Sequence, residues 1–326
     1  MMMRMTDPRP TPRKITILDT ATASTNLGDQ IIMDAVRRHL GVLFAEDFAY
    51  SVASHDYMGA KSRGLVRGSE FAIASGTNLL SGRMWFRAPW KLRLQDAFSV
   101  NNVILMGCGW YQYQRGADPY SAWLLRRVLS ARHLHAVRDS YSLKGLARMG
   151  ITNVVNTSCP TLWDLSSEIT GRLPKTIARE VVTTVNTYIR DVEADRKLLQ
   201  ILAARYDKVH LWVQTHQDWD YAQDLLPGIA PLAPSLAAFD AMLKTHPSLD
   251  YVGNRLHGGI RALQTGRRAI IIEVDNRATE MGRDFGLPTV ARTDFGRLEG
   301  MIAKPLPIAV SPPLEAIARW RGQFQA

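Results

Sequence analysis

The sequence predicts an α/β protein built from two doubly wound domains that face each other across a cleft. Three observations support this fold class. Short apolar runs, typical of buried parallel strands, alternate with amphipathic helical segments along most of the chain. The alternation occurs in two series, separated by a polar segment with glycine and proline at 166–175. The length of 326 residues also exceeds what one hydrophobic core usually serves.

The first series supplies the N-terminal domain, predicted over 15–168. Its strands are predicted at 15–18, 71–74, 103–106, 134–137 and 154–155. The first helix is predicted over 29–40, because Ile32, Val36 and Leu40 form one apolar stripe at four-residue spacing. A later helix over 142–149 is predicted to end at Gly150.

The second series supplies the C-terminal domain, predicted over 175–326 with a terminal helix at 313–321. The β-branched run 181–187 predicts a strand, and a helix over 195–206 follows it. Further strands are predicted at 209–213, 250–252 and 269–274. Residues 1–14 are rich in Met, Pro and Arg without an apolar core segment, so they are predicted to form a disordered basic tail rather than a secretory signal.

Composition excludes several protein classes. Hydrophobic residues are 46% and charged residues 21% of the chain, which argues against a disordered chain, a collagen or a coiled coil. Two cysteines are too few for a disulfide scaffold and suit a reducing cytoplasm. No apolar stretch is long enough to predict a membrane span.

The net charge of 40 − 30 = +10 points to an anionic partner: nucleic acid, a membrane surface, or a small phosphorylated or carboxylated ligand.

The strongest candidate site follows the strand at 250–252. Asn254 is predicted to cap a helix whose first turn holds Arg255 and His257. Free backbone N–H groups and the positive dipole end already lie there, so a further cation and an imidazole favour a bound phosphate or carboxylate. The paired glycines at 258–259 indicate a close approach of ligand or backbone. An exposed arginine beside a buried, satisfied histidine is an equally weighted alternative.

Other strand ends give weaker candidates. Asn26 and Asp29 flank a glycine at the start of the first helix, where capping alone explains them. Gln214 and Asp218 follow the strand at 209–213 and face the same predicted cleft. Arg190 follows the strand at 181–187, where a solvated arginine is the ordinary interpretation.

Two glycine turns, at Gly76 and at 107–109, follow strands of the first domain. A dinucleotide fingerprint would need a glycine where the chain has Gln112, so that function is not predicted. The alternatives are plain tight turns or the floor of a sugar site, with Trp110 as a stacking face. Metal, Walker and nucleophile-elbow motifs are absent from the sequence, so no metal or cofactor is expected.

Taken in order, these strand ends resemble the polysaccharide pyruvyl transferase family. The resemblance runs from 15 to about 288 and is carried by the following pieces: Asn26-Leu-Gly-Asp29, the two glycine turns, Arg138-Asp139-Ser140 with Gly150, Cys159-Pro160-Thr-Leu162, Gln214 with Asp218, and Arg255-Leu-His257-Gly followed by Asp275. Only the Arg-Leu-His-Gly piece is specific by itself, and the order and spacing of the others support it.

The resemblance implies two Rossmann-like domains in a GT-B-like arrangement, with the acceptor on the N-terminal side and the donor on the C-terminal side. It implies transfer of pyruvate from phosphoenolpyruvate to a sugar hydroxyl pair as a ketal, in bacterial exopolysaccharide or cell-surface glycan synthesis. His257 would be the general acid, with Arg255, Arg190 and the backbone of Leu256 holding the donor. The acceptor-side candidates are Asn26, Asp29, Trp110, Gln214 and Asp218.

Two positions depart from the family pattern. Ser75-Gly76-Thr77 stands for a three-glycine turn, and Arg277 stands where a lysine often follows Asp275. The first departure affects the acceptor side, and the second keeps the charge but changes its geometry.

Two alternatives remain open: a nucleotide-sugar-dependent glycosyltransferase of the same fold, and a non-catalytic polyanion or nucleic-acid binder. The latter ranks last because the sequence has no basic helix or aromatic platform motif, so nucleic acid is not expected as a partner. The expected location is the cytoplasm, and a lipid-linked saccharide acceptor would place the protein at the inner face of a membrane.

Overall fold

The computed structural model describes residues 11–227, 229 and 231–325. Two parallel sheets organise the chain into a first half, residues 11–171, and a second half, residues 180–303. The sheet of the first half has the order β2-β1-β3-β4. Its strands are β1 (Lys14–Asp19), β2 (Phe48–Ala53), β3 (Phe71–Ser75) and β4 (Val103–Met106). Two short strands, β5 (His135–Val137) and β6 (Val154–Asn156), pair with each other and join this sheet through a bridge between Cys108 and Val137.

The second half is built on a five-stranded sheet with the order β11-β10-β9-β7-β8. Its strands are β7 (Glu180–Thr183), β8 (Lys208–Leu211), β9 (Leu249–Gly253), β10 (Ala269–Glu273) and β11 (Thr289–Ala291). All pairs in both sheets are parallel. The predicted fold class, an α/β protein with two doubly wound parallel sheets, is confirmed.

Helices connect and cover the strands. In the first half they are α1 (Leu27–Leu43), α2 (Ala60–Gly68), α3 (Asp96–Ser99), α4 (Pro119–Val128), α5 (Ser140–Arg148) and α6 (Ser167–Gly171). In the second half they are α7 (Val192–Arg205), α8 (His216–Leu225), α9 (Leu236–Thr245), α10 (Leu256–Gln264), α11 (Asn276–Phe285) and α12 (Phe295–Ala303). The last helix is α13 (Leu314–Gly322). No helix in the described ranges has the length and apolar character needed to cross a bilayer.

Sequence pattern explains how α1 is set against the first sheet. The side chain of Asn26 accepts a hydrogen bond from the Gly28 N–H at 3.0 Å and caps the helix. Ile32, Val36 and Leu40 are buried together with residues of β1, as their four-residue spacing predicts. The N-terminus of α1 is thereby fixed at the carboxyl end of β1, the edge at which open parallel sheets bind ligands.

Chain order reverses between β7 and β9, which are neighbours in the second sheet although β8 lies between them in sequence. Such a switch point opens a crevice outside the carboxyl ends of the strands. The predicted strand 181–187 ends at Thr183, so the residues after it form a loop over this crevice. The glycines at 258–259, predicted to allow close approach of a ligand or of backbone, allow α10 to pack closely on the sheet: a Cβ at Gly259 would lie 2.5 Å from Ile271 Cγ1, and one at Gly258 would lie 3.0 Å from the Tyr251 hydroxyl oxygen.

One prediction about the chain ends needs correction. Arg13 and Lys14, predicted in the tail, are structured: Lys14 begins β1, and Arg13 forms an ion pair with Asp47 at 2.8 Å. Residues 1–10 of the predicted tail lie outside the described residues. Helix α13, whose packing on either domain the sequence left open, packs through Trp320 into the core of the first half. The other domain boundaries, 15–168 and the start at 175, stay predictions.

Candidate anion-binding active site

Helix N-termini from both halves converge on one recess. Its lining includes Asn26 and Gly28 at the start of α1, Leu256 and His257 at the start of α10, and Arg277 at the start of α11. Each helix start contributes unsatisfied N–H groups and a positive dipole end, which favour a bound anion. The recess is narrow, with a cavity volume of about 20 Å³.

Arg255 lies at the centre of this arrangement, one position earlier than predicted. It is the N-cap of α10 and not part of its first turn, and Asn254 does not cap the helix. The buried guanidinium donates from Nε to the Val185 carbonyl at 3.1 Å and from Nη2 to Asp218. The guanidinium also lies 5.0 Å from the ring centroid of Tyr188. Nη1 makes no hydrogen bond to the described residues, so one donor edge remains for a ligand.

Asp218 was predicted on the acceptor side of the cleft, but the structure places it against Arg255. The carboxylate is fully buried and accepts hydrogen bonds from the Thr187 N–H and hydroxyl at 3.1 and 2.9 Å. It also accepts from the N–H groups of Gln214 and Thr215 at 3.3 and 3.2 Å, completing the capping box of α8. Asp218 therefore orients Arg255 and has no free surface for a substrate.

Arg277 is a second cation of the site, and it was noted in the sequence only as a family departure. Its Nε contacts both oxygens of Asp275, at 3.0 and 2.9 Å, and Nη2 contacts one of them at 2.5 Å. Burial acts to raise the pKa of Asp275, but Arg277 outweighs it and holds that pKa below its usual range. Arg277 also lines a wider cleft beside the recess, so it stands at the boundary between the two spaces.

The His257 side chain is buried in the recess wall, with Nε2 3.7 Å from the thiol sulfur of Cys159. Burial above all, and then the positive charges of Arg277 and Arg138, lower the pKa of His257 to about 3. The ligand-free imidazole is therefore neutral near pH 7. A proton on His257 requires an additional negative charge in the recess, which a bound phosphate would supply.

The wider cleft has a cavity volume of about 410 Å³ and receives residues from both halves. Polar side chains such as His55 and Asn78 line it together with the rings of Tyr111 and Tyr188. His55 Nε2 lies 3.9 Å from Asp29 Oδ2. Asp29 itself is buried, accepts from the Ser24 hydroxyl at 2.6 Å, and has a pKa raised by burial. His55 was not predicted as a site residue, because it follows no strand end with a motif.

Gln214 and Leu256 line the recess together with Asn26, so these three predicted residues lie together. The Gln214 carbonyl accepts from the Leu27 N–H at 3.1 Å, which ties the two halves at this point. Its side-chain Nε2 is buried without a hydrogen-bond partner in the described residues. Since an unsatisfied buried donor is costly, this amide is available to a ligand oxygen.

Two predicted site residues lie elsewhere. Trp110 is buried in the core of the first half, where a Cβ at Gly145 would lie 2.5 Å from its ring, and its indole N–H donates to Gln114 at 3.0 Å. It is therefore no stacking face for a sugar. Arg190 is exposed, with its guanidinium 4.7 Å from the ring centroid of Tyr221, and it lines neither the recess nor the cleft. The strand ends at Thr183, so Arg190 lies on the loop after it, next to the cleft residue Ile189.

The Arg138-Asp139 pair is structural. Both side chains are fully buried, their ion pair measures 3.0 Å, and Asp139 caps α5 by accepting from the Ser142 N–H at 2.7 Å. Across the described residues, no group of three or more His, Cys, Asp and Glu side chains is placed to hold a metal ion.

Comparison with known proteins gives a family match. The family model described as polysaccharide pyruvyl transferase matches residues 26–276. A comparison with curated proteins finds no match. Three solved structures of the wall teichoic acid polymerase TagF resemble the chain at 10%, 10% and 11% identity, with TM-scores of 0.41, 0.43 and 0.40. These alignments cover 96% of this chain and 83%, 82% and 82% of the TagF chains.

Proposed function

The chain belongs to the polysaccharide pyruvyl transferase family, and on that premise we propose that it transfers pyruvate from phosphoenolpyruvate to two hydroxyls of a saccharide, forming a ketal. The observation that carries the proposal is the recess at which three helix N-termini, two arginines and a neutral imidazole converge. A small anion with two separate charged groups suits that chemistry. Because the recess itself holds only about a water-sized volume, the donor would place one charged group there and extend into the adjoining cleft past Arg277.

Phosphoenolpyruvate carries a phosphate and a carboxylate, and the site offers cations for both. Arg255 is oriented by Asp218, and Arg277 is oriented by Asp275, so each guanidinium is preorganised with part of its donor set directed away from its aspartate. Arg277 therefore fits the second donor-binding role better than Arg190, which the family resemblance suggested. The backbone at Leu256 and the amide of Gln214 add neutral donors.

His257 is proposed as the general acid. The donor dianion raises the pKa of the imidazole, which becomes protonated and gives this proton to the methylene carbon of phosphoenolpyruvate. Protonation converts that carbon into a methyl group and leaves positive charge at the central carbon. Attack by one sugar hydroxyl oxygen on the central carbon and departure of phosphate, which keeps the bonding electron pair, complete the first half of the reaction.

A second hydroxyl then attacks the same carbon and closes the ketal. His55 lies in the cleft with Asp29 behind it, and we assign to this pair the removal of a hydroxyl proton. Of the two hydroxyl protons, one replaces the proton that His257 gave to carbon, and the other leaves with the phosphate. The tyrosine rings of the cleft, Tyr111 and Tyr188, offer stacking faces for the sugar. No further cofactor enters this reaction, and we place it in the cytoplasm.

Incubation of the purified protein with phosphoenolpyruvate and a panel of glycosides with neighbouring hydroxyls tests the proposal, with phosphate release and the added pyruvate mass as readouts. His257→Gln should abolish turnover while phosphoenolpyruvate still raises the melting temperature. His216→Gln is the matched control, because His216 is exposed on α8 and outside both spaces.

The proposal fails if His257→Gln keeps normal turnover. It also fails if a nucleotide sugar raises the melting temperature of the unmodified protein and phosphoenolpyruvate does not, since the recess would then serve glycosyl transfer.

A further inference from the structure

An exposed apolar surface lies on the first half, in the segment of residues 83–98. Four of its side chains project from the surface although they are large and apolar: Trp85 is 67% exposed, Phe86 81%, Leu94 53% and Phe98 70%. Two of them continue into neighbouring rings, because Trp85 packs edge-on against Tyr120, with ring centroids 5.1 Å apart, and Phe98 against Trp123 at 6.0 Å. Exposed apolar side chains so concentrated mark an interaction surface.

Cations alternate with these apolar side chains. Arg83, Arg87, Lys91 and Arg93 occur in the same segment, whose one acidic residue, Asp96, is fully buried. None of the four forms an ion pair or a side-chain hydrogen bond within the described part of the chain. Lys91 and Arg93 lie over the ring of Tyr57, at 5.9 and 4.1 Å from its centroid. Because no carboxylate among the described residues neutralises any of the four cations, their charge is available to an anionic partner.

The segment borders the cleft. Pro89, from the middle of the segment, lines the cleft. The backbone at Gly82, next to the segment, is bound to the Gln114 side chain at 2.7 Å and to the Asp118 N–H at 2.8 Å. The loop held in this way carries Tyr111, another residue of the cleft wall. A partner on the 83–98 segment is therefore beside the entrance to the proposed acceptor site.

We propose that the 83–98 segment docks the protein on an anionic lipid bilayer. Tryptophan and phenylalanine insert at the boundary between headgroups and acyl chains, and interleaved arginine and lysine bind anionic headgroups. A soluble glycan would not require a phenylalanine and a leucine side chain in water, whereas a bilayer buries both. Docking brings a membrane-borne saccharide to the cleft, and only this last consequence rests on the proposed function.

Vesicle sedimentation of the full chain tests docking directly and needs no phosphoenolpyruvate, so its result is independent of the proposed reaction. The protein should bind vesicles of phosphatidylcholine with about 30% phosphatidylglycerol, bind pure phosphatidylcholine weakly, and dissociate as NaCl rises from about 0.1 to about 0.5 M. Trp85→Ser with Phe86→Ser should lower the partition coefficient at least about tenfold.

Matched controls separate this segment from general charge and hydrophobicity. Val42→Ser with Leu314→Ser removes two apolar side chains that are 82% and 64% exposed elsewhere, and binding should be unchanged. Arg83→Gln with Arg87→Gln should weaken binding to the anionic vesicles about 25-fold, at about fivefold per charge. The same neutralisation of Arg196 and Lys197, exposed on α7, should leave it unchanged.

Three results would overturn the proposal: no binding of the unmodified protein to anionic vesicles, equal losses in segment and control variants, or a dimer in solution that the Trp85 and Phe86 substitutions convert to monomer. The last would assign the surface to a second copy of the chain. As an activity test, the Trp85 and Phe86 variant should lose rate with a vesicle-borne acceptor and keep it with a water-soluble glycoside.

Discussion

Two buried arginine–aspartate pairs lie at opposite ends of the second sheet. Arg255 and Asp218 lie beyond the carboxyl ends of β9 and β8, and Arg268 and Asp250 lie at the amino ends of β10 and β9. All four side chains are almost completely buried. In chemical composition and burial the pairs are alike, yet only the first touches the recess.

The difference is in what the remaining donors and acceptors contact. Arg268 donates from Nη1 to Asp250 at 2.5 Å and from Nη2 to the backbone carbonyls of Met301 and Ile302. Arg255 keeps Nη1 for the recess, and its partner Asp218 is satisfied by other donors. Arg268 also has an unpaired donor, since its buried Nε makes no hydrogen bond to the described residues. A buried ion pair or an unpaired donor is thus no evidence of function by itself; a free donor that opens on the recess at the carboxyl ends of the strands is what indicates a site.

Replacing Arg255 should separate the two pairs most strongly. Arg255→Gln removes the charge-assisted contact that we propose to the donor, so we expect kcat/KM for phosphoenolpyruvate to fall by about 100-fold or more. The free energy of unfolding should change little, because Asp218 retains the hydrogen bonds of Thr187, Gln214 and Thr215. Steady-state phosphate release and urea unfolding measure the two effects.

Arg255→Lys is the conservative control, and it should recover only part of the activity because lysine lacks the planar fork. A variant at this position that unfolds as readily as an Arg268 variant, with normal kcat/KM, would contradict the assignment of Arg255 to the donor.

The Arg268 pair should give the opposite result. Arg268→Gln leaves the buried Asp250 with two partners among the described residues, the Tyr206 hydroxyl and the Ala178 N–H. Breaking a buried pair in this way costs about 3–5 kcal/mol, which urea unfolding would detect, while turnover per folded molecule should stay unchanged. A loss of kcat in protein that remains fully folded would show that this pair is coupled to the site.

The sequence predicted features that depend on neighbouring residues better than contacts between distant ones. Strand ends and their neighbouring residues were predictable: β4 agrees with the predicted strand 103–106, and His257 and Arg255 lie in one recess. A buried strand of continuous apolar residues can be recognised from its local pattern alone. The same holds for two site residues that are close in sequence. The start of α10 was misplaced by one residue, because the Thr184 hydroxyl, and not a local cap, binds the Arg255 N–H.

Contacts distant in sequence were not predictable. Arg190 was placed at the site because the strand 181–187 was expected to run on, and Trp110 was placed there because nothing in the sequence shows that Gly145 makes room for its ring. His55 was missed since its partner Asp29 lies 26 residues away, on another element. Packing between elements decides which residues form ion pairs and where side chains point. A local sequence pattern does not show that packing.

Two buried histidines, His257 at the recess and His135 in the first half, differ in the same way as the two arginine pairs. Burial lowers the pKa of both His257, to about 3, and His135, to about 4, but His135 Nε2 contacts the Ser130 carbonyl at 2.9 Å, outside the recess. We expect an anion bound at the recess to raise the pKa of His257 alone. Between about pH 3 and the pKa in the complex, donor binding should therefore take up a proton, approaching one per site, and affinity should fall as pH rises.

Calorimetry in buffers of different ionisation enthalpy measures that uptake. The His257→Gln variant should take up fewer protons on donor binding, and the difference is the proton that the imidazole would bind. His135→Gln, provided that it folds, should take up as many protons as the unmodified protein. Equal uptake in the protein with and without His257 would mean that the imidazole stays neutral in the complex and cannot be the general acid.

Arg190 differs from both buried arginines because it is exposed and forms no ion pair within the described residues. Its guanidinium lies 4.7 Å from the ring centroid of Tyr221, an interaction that contributes about 0.5–1 kcal/mol at an exposed position. Arg190→Ala should therefore leave kcat/KM within about twofold and lower the free energy of unfolding by no more than that amount. Arg277→Ala, measured beside it, should cost far more activity, because Arg277 lines both the recess and the cleft. A large loss with Arg190→Ala and none with Arg277→Ala would reverse the two roles, and would require the loop after Thr183 to close over the recess when the donor binds.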